Sequence, residues 1–212
     1  MRSLASLLSV ALISAAAFSP ALAEDDPSGV AGHFQVRLRG VAVLPEPSAT
    51  IELSGNDVGG TTSITDSFVP EVDGTYFITD NIGVELIAAT TKHTARNTNT
   101  GDIASVWLLP PTLTAQYHFM PDGWIRPYAG IGINYTIFYD TRSAISDLKF
   151  GDRFGWALQA GLDAPIPNTP YFVNFDVKKL FLSTGVKGLA GALKADVDID
   201  PWLVGLGVGI RF

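Results

Sequence analysis

Pro201-Trp202-Leu203-Val204-Gly205-Leu206-Gly207-Val208-Gly209-Ile210-Arg211-Phe212 ends the chain, and its reading decides the fold. Trp202, Val204, Leu206, Val208, Ile210 and Phe212 fall at every second position, with Gly205, Gly207, Gly209 and Arg211 between them. Successive side chains of a strand point to opposite faces, so this spacing makes one greasy face and one bare or polar face. The alternation is stricter than an amphipathic helix allows.

The same period runs upstream. Phe34 to Val43 sets Phe34, Val36, Leu38 and Ala42 against Gln35, Arg37 and Arg39. Phe68 to Thr79 opposes Val72, Tyr76 and Ile78 to Glu71, Asp73 and Thr75, and Thr79-Asp80-Asn81 turns into a third strand, Ile82 to Thr91, in which Glu85 points away from Val84 and Leu86. Val106 to Phe119 and Arg126 to Tyr139 follow, joined by the turn Met120-Pro121-Asp122-Gly123. Phe154, Trp156, Leu158, Ala160 and Leu162 then face away from Gln159 and Asp163. After the turn from Pro165 to Pro170, Tyr171, Val173, Phe175 and Val177 oppose Asn174, Asp176 and Lys178. With the last segment this makes eight strands. Their short turns alternate with long polar stretches at Leu44 to Ser67, Lys92 to Ser105, Asp140 to Asp152 and Ser183 to Asp200, the rhythm of short periplasmic turns and long outer loops in an outer-membrane barrel.

A soluble β-sandwich alternates too, with its apolar side chains turned inward. Three features favour the membrane. Aromatics gather at strand ends (Tyr76, Phe77, Tyr117, Phe119, Tyr139, Trp202, Phe212), charges of both signs sit at mid-strand on the opposite face, and closure leaves no edge. Mean hydropathy is +0.25, yet past the N-terminus no run approaches the roughly 18 apolar residues of a membrane helix. Arg2, the apolar Leu4 to Phe18 and Ala21-Leu22-Ala23 form a secretory leader, so residues 1–23 are expected to be cleaved and 24–212 to form one eight-stranded, antiparallel, transmembrane β-barrel.

Cysteine is absent, which excludes disulfides, thiolate metal sites and cysteine nucleophiles, and a net charge of −7 argues against nucleic acid. His33, His93 and His118 lack metal-site spacing, and no serine, histidine and acid arrangement is recognisable. No cofactor, metal or catalysis is expected.

Longer stretches resemble the OmpW family of small outer-membrane proteins. They are Thr79-Asp80-Asn81-Ile82-Gly83-Val84-Glu85-Leu86 with Ala88-Ala89-Thr90, Gly101-Asp102-Ile103-Ala104, Leu109-Pro110-Pro111-Thr112-Leu113, Arg126-Pro127-Tyr128 with Gly130 and Gly132-Ile133-Asn134-Tyr135-Thr136, Asp200-Pro201-Trp202 and the terminal Arg211-Phe212. The likeness lapses in the first outer loop and after Lys178. It implies a barrel whose narrow interior is apolar near the outer mouth, and a channel for small hydrophobic molecules. A structural or adhesive barrel, binding an envelope or host partner through its loops, is the other function class.

Arg37, Arg39, Glu71, Asp73, Glu85, Asp163, Asp176 and Lys178 fall on the expected lumen face. Eight strands enclose little more than their own side chains, so mixed charges there are expected to form a paired, space-filling network rather than an ion filter or a watery pore. Pro110 and Pro111 lie inside a strand that must pair on both sides, and proline donates nothing to the ladder. They mark either a lateral exit into the membrane or a structural bulge at the rim. Leu108, Ile137, Phe150 and Phe154 are candidates for the apolar mouth, against the alternative that they merely pack the loops, with Phe154 at a position where the resemblance suggests an aromatic. Phe212, a free C-terminal aromatic, reads as an assembly signal for the barrel-assembly machinery, against the alternative of an ordinary terminal strand. The expected surroundings are outer-membrane lipid and lipopolysaccharide, with a small hydrophobic ligand, and the expected state is monomeric.

Overall fold

The structure, a computed structural model, describes residues 29–57, 62–97, 101–143, 149–150, 153–189 and 193–212; the expected leader, residues 1–23, lies outside the described residues. In chain order the strands are β1 (Phe34–Leu44), β2 (Ser48–Leu53), β3 (Asn56–Asp57), β4 (Thr62–Ile64), β5 (Ser67–Phe77), β6 (Ile82–Ala89), β7 (Thr91–Asn97) and β8 (Gly101–Leu109). They continue as β9 (Thr112–His118), β10 (Arg126–Ser143), β11 (Lys149–Phe150), β12 (Arg153–Pro165), β13 (Tyr171–Phe181), β14 (Ser183–Gly188), β15 (Leu193–Asp198) and β16 (Trp202–Arg211).

Eight of these, β1, β5, β6, β9, β10, β12, β13 and β16, are the staves of a closed antiparallel barrel. Each pairs with its neighbours, β16 returns beside β1, and β10 beside β12 completes the ring. The chain ends meet, with Phe34 and Phe212 exchanging backbone hydrogen bonds of 2.8 and 2.9 Å. Asp80, in the turn after β5, accepts from the amides of Val30 and Ala31 at 2.7 and 2.9 Å and ties the lead-in segment to the same end.

The side chains are arranged inside out relative to a soluble protein. Leu38 is 55% exposed and Arg37 beside it is 0% exposed. The large apolar residues of every stave, among them Val72, Leu86, Leu113, Ile131, Leu158, Phe175 and Leu206, point outward, where lipid is their solvent. Closure pairs the backbone polar groups without water, which a membrane span requires.

The structure departs from the sequence reading in three places. The four long stretches expected as loops carry strands. β7 and β8 form a hairpin flanked by β4 and the upper end of β10, while β14 and β15 form a second, flanked by β11 and by β2 with β3. These strands are polar on much of their surface, so they lack the greasy alternation that betrays a stave. The fourth expected strand, Val106 to Phe119, is split at Pro110-Pro111 into β8 and β9. Phe77, expected in an interfacial girdle, is 0% exposed and points into the barrel; the side chain of Tyr139 lies outside the described residues.

Interior glycines make room for interior bulk. A Cβ on Gly161 would fall 2.5 Å from the Tyr128 ring and 2.6 Å from the Phe175 carbonyl oxygen, whereas one on the outward Gly74 would meet nothing within 4 Å. Gly161→Val should therefore cost about 1–3 kcal/mol by overpacking and lower the folded fraction in unheated gel electrophoresis, while Gly74→Val should leave it unchanged.

Candidate functional site

Three layers of side chains fill the lumen, stacked in the order in which the staves deliver them. Along β1 the inward residues are Gln35, Arg37 and Arg39, then Val41 and Val43; along β13 they are Phe172, Asn174, Asp176 and Lys178, then Leu180. The end with short turns is thus aromatic and charged, and the end with the hairpins is apolar.

The floor is formed by Phe77, His118, Tyr128 and Phe172, all buried. His118 lies 4.8 Å from Phe77 and 5.2 Å from Tyr128 between ring centroids. The Arg37 guanidinium covers the Tyr128 ring at 5.0 Å, and Arg211 covers Phe77 at 4.7 Å.

Above it, three cations meet five carboxylates. Arg37 makes two contacts with Asp163, at 3.1 and 3.3 Å, and reaches Asp73 at 3.0 Å and Glu85 at 3.1 Å. Arg39 pairs with Glu71 at 2.8 Å and with Asp73. Lys178 bridges Glu71 at 2.7 Å and Asp176 at 2.8 Å. Neutral donors fill in: Tyr128 Oη and Gln159 Nε2 donate to Asp176 at 2.7 and 2.8 Å, and Gln35 and Asn174 donate to Asp163. All eight charged residues named from the sequence come together in this one layer.

The third layer is apolar. Val41, Val43, Ala157, Leu180 and Leu203 pack as one buried cluster with Val69 against it. Sequence reasoning missed this group, although the signal is present, because the inward parity of Arg37 and Arg39 continues to Val41 and Val43. The four residues named for the mouth fare otherwise. Leu108 is buried, and Ile137 is half-buried on the outward register of Ile131 and Ile133. Phe154 is a correction: it is 75% exposed, on the lipid face with Trp156 and Leu158, its ring 4.8 Å from that of Tyr135. Parity alone puts it there, two residues from Trp156. Phe150 pairs through its backbone with Val186, and its side chain lies outside the described residues.

Pro110 and Pro111 break one seam of the wall. The ladder between β6 and β9 stops at Ile87↔Thr112, and pairing resumes at Thr91↔Leu108 with the offset unchanged, so Ala88 and Ala89 face Pro111 and Pro110. Neither proline has an N–H to offer. The other flank holds, since the Tyr135 amide donates to the Pro111 carbonyl at 3.1 Å and the register with β10 runs straight through. Side-chain hydroxyls occupy two carbonyls beside the break: Thr112 Oγ1 donates to the Pro110 carbonyl at 3.1 Å and Thr90 Oγ1 to that of Leu108 at 3.3 Å. Ala89 stands opposite Glu71 on its other side, which sets the break at the top of the charged layer.

His93 and His118 are held by their neighbours, while His33 is exposed. His93, on the outer hairpin, hydrogen-bonds to the Thr65 carbonyl at 2.7 Å and to Thr91 at 3.1 Å, and burial holds its imidazole below the ordinary pKa. Phe212 is exposed, its ring stacked at 6.4 Å on Phe34.

The chain matches the model of the OmpW family over residues 30–212. It is 43% identical over 187 residues to an uncharacterized outer-membrane protein, y4mB, of Sinorhizobium fredii, covering 84% of this chain and 80% of that one. It is 33% identical over 204 residues, 92% of each chain, to the dibenzothiophene metabolism operon protein PahQ of Pseudomonas aeruginosa. The crystal structure of the outer membrane protein OprG from Pseudomonas aeruginosa superposes with a TM-score of 0.78 at 30% identity, covering 87% of this chain and 97% of OprG. With the barrel closed and its greasy face outward, these matches establish that the chain is a bacterial outer-membrane β-barrel and belongs to the OmpW family.

Proposed function

We propose that the barrel is a passive conduit for small hydrophobic molecules, which enter the apolar upper lumen from outside and leave sideways into the membrane at Pro110-Pro111. The observation that carries this reading is the position of the seam break. It lies where the apolar cluster ends and the charge layer begins. A greasy solute gains by burying its surface against Val41, Val43, Leu180 and Leu203, at about 25 cal/mol per Å². It gains nothing by moving down among desolvated ions. The prolines leave a neighbouring seam with fewer backbone hydrogen bonds to part, and lipid on the far side is as apolar as the chamber. The family membership and the name of the relative tied to dibenzothiophene metabolism support the same class of solute.

The proposal includes export through removal of residues 1–23, recognition of the terminal Phe212 by the barrel-assembly machinery, and work as a monomer surrounded by lipid and lipopolysaccharide. It needs no cofactor and no energy source.

Replacing Pro110 and Pro111 together by threonine restores two N–H donors, that of residue 110 facing β6 across the seam and that of residue 111 facing β10. Uptake of a small aromatic hydrocarbon by cells carrying this variant should slow several-fold relative to the parent, with gel mobility reporting an intact barrel; an unchanged rate at equal folded protein removes the lateral exit. Leu180→Asp, which puts a charge into the apolar layer, should also lower uptake. Phe154→Ala, on the lipid side, should leave it unaltered, and equal losses in both variants would speak against transport through the lumen.

A further inference from the structure

Two buried oxygen atoms on neighbouring staves have no hydrogen-bond partner among the described residues, Oγ1 of Thr114 and Oε2 of Glu85. Thr114 is 1% exposed and Glu85 0% exposed, and the two residues stand directly opposite each other in the ladder between β6 and β9. Buried polar groups are nearly always hydrogen-bonded, so this pair points to a ligand group that completes it. The side chains around it are spent elsewhere. On β9, Gln116 donates to Gln159 at 3.0 Å, and Thr112 donates to the Pro110 carbonyl at 3.1 Å while accepting from Asn134 at 3.2 Å. On the far side of Thr114 stands Gly132, which has no side chain to offer. The other carboxylate oxygen of Glu85 is held by Arg37 at 3.1 Å and by Arg39 at 3.3 Å.

The pair lies in the seam that the prolines interrupt. Above it the ladder has two more steps, Leu86↔Leu113 and Ile87↔Thr112, and then lapses at Ala88 and Ala89. Three residues of strand, about 10 Å, separate Thr114 from Pro111. Ile87, the next inward residue above Glu85, is buried, and Ala157 of the apolar cluster stands beside Gly132. An apolar molecule at the break therefore has its lower end at two oxygens that lack partners.

We propose that Glu85 and Thr114 form a binding subsite for one uncharged hydroxyl group, so that the solutes held at the exit are small apolar molecules carrying such a group, alcohols or phenols, rather than bare hydrocarbons. How the solute arrives is the conduit reading above, on which this subsite rests; the group it must carry is what the two oxygens add. A hydroxyl suits both atoms at once. Its O–H donates to Glu85 Oε2 in a charge-assisted bond, and its oxygen accepts from the Thr114 hydroxyl. A carboxylate would face Glu85 with like charge. An ammonium group would lie beside the two guanidinium groups on the other oxygen of the same carboxylate. A hydrocarbon leaves both oxygens desolvated and unpaired, the kind of loss by which a hydrogen-bonding site rejects an analogue that lacks the group.

Residues 24–212, isotope-labelled and folded in phospholipid nanodiscs, provide the test. The backbone amide resonances of Glu85 and Thr114 are followed as naphthalene or 2-naphthol is added at neutral pH, at equal concentrations in the bilayer. The parent should bind 2-naphthol about tenfold more tightly than naphthalene. Thr114→Val, close in shape but without the hydroxyl, should lower that preference about fivefold, and Thr114→Ser, which keeps the hydroxyl, should retain it. The subsite is overturned by equal affinity for the two probes in the parent, by an unchanged preference in Thr114→Val, the result expected if a buried water alone completes the pair, or by a preference lost in Thr114→Ser. Uptake of both probes by cells is measured separately: if neither depends on the barrel the conduit is removed, while the resonances still decide whether the two oxygens bind a hydroxyl.

Discussion

Two arginines one turn of pleat apart, Arg37 and Arg39, hold five carboxylates from four other staves, and the rest of the barrel depends on that contact. Glu71 and Asp73 come from β5, Glu85 from β6, Asp163 from β12 and Asp176 from β13, with Lys178 completing the set. Buried charges are costly unless paired and hydrogen-bonded. Here the pairing crosses the lumen, so it fixes the register of distant staves against one another. A slip of one residue in any of them would turn its charged set to lipid and its apolar set inward. The network also fills the cross-section, which makes the barrel a wall with a stopper rather than a pipe.

In the proposed route, that stopper turns a solute toward the seam at Pro110-Pro111. A break in a membrane ladder is expensive because lipid offers no hydrogen bonds. The chain offsets the expense locally: Thr112 and Thr90 supply hydroxyls to two carbonyls, and the partner strand β10 keeps its pairing across the break. The wall is thus weakened most on the β6 side, where the ladder lapses, while the β10 side keeps its register and lacks only the bond an N–H at position 111 would make. The proposed exit rests on one coincidence, that the break falls at the boundary between the apolar and charged layers.

Much of the molecule is legible in its residue order. The period of two finds all eight staves and puts all eight interior charges on the right face, because lipid outside and ion pairs inside write opposite chemistry on alternate residues. The same rule covers Val41 and Val43, but there both faces are apolar and the contrast that reveals orientation is gone. Phe154 is misplaced when a family likeness is set above its parity with Trp156 and Leu158, which puts it in lipid. Phe77 passes for a girdle residue since an aromatic at a strand end looks the same whether it seals a floor or meets a headgroup. The hairpins above the membrane are illegible for a different reason: in water neither face needs to be uniformly greasy, so strands such as Thr91–Asn97 leave no alternating trace.

For the conduit proposed above, the layered lumen would set a direction of passage without any energy source. A hydrophobic solute leaving water for the chamber moves downhill by its buried surface, and from chamber to lipid the ground is level, since Leu180 and Val43 resemble an acyl chain in what they offer. The one barrier left is mechanical, the parting of Ala88 and Ala89 from Pro111 and Pro110. Two alanines facing two prolines present small side chains and no N–H from the proline side, which is why the proposal puts the exit at this seam. The proposed route carries a selectivity with it: ions and polar solutes gain nothing in the apolar layer, and large apolar ones would have to part more of the wall than the seam leaves unpaired.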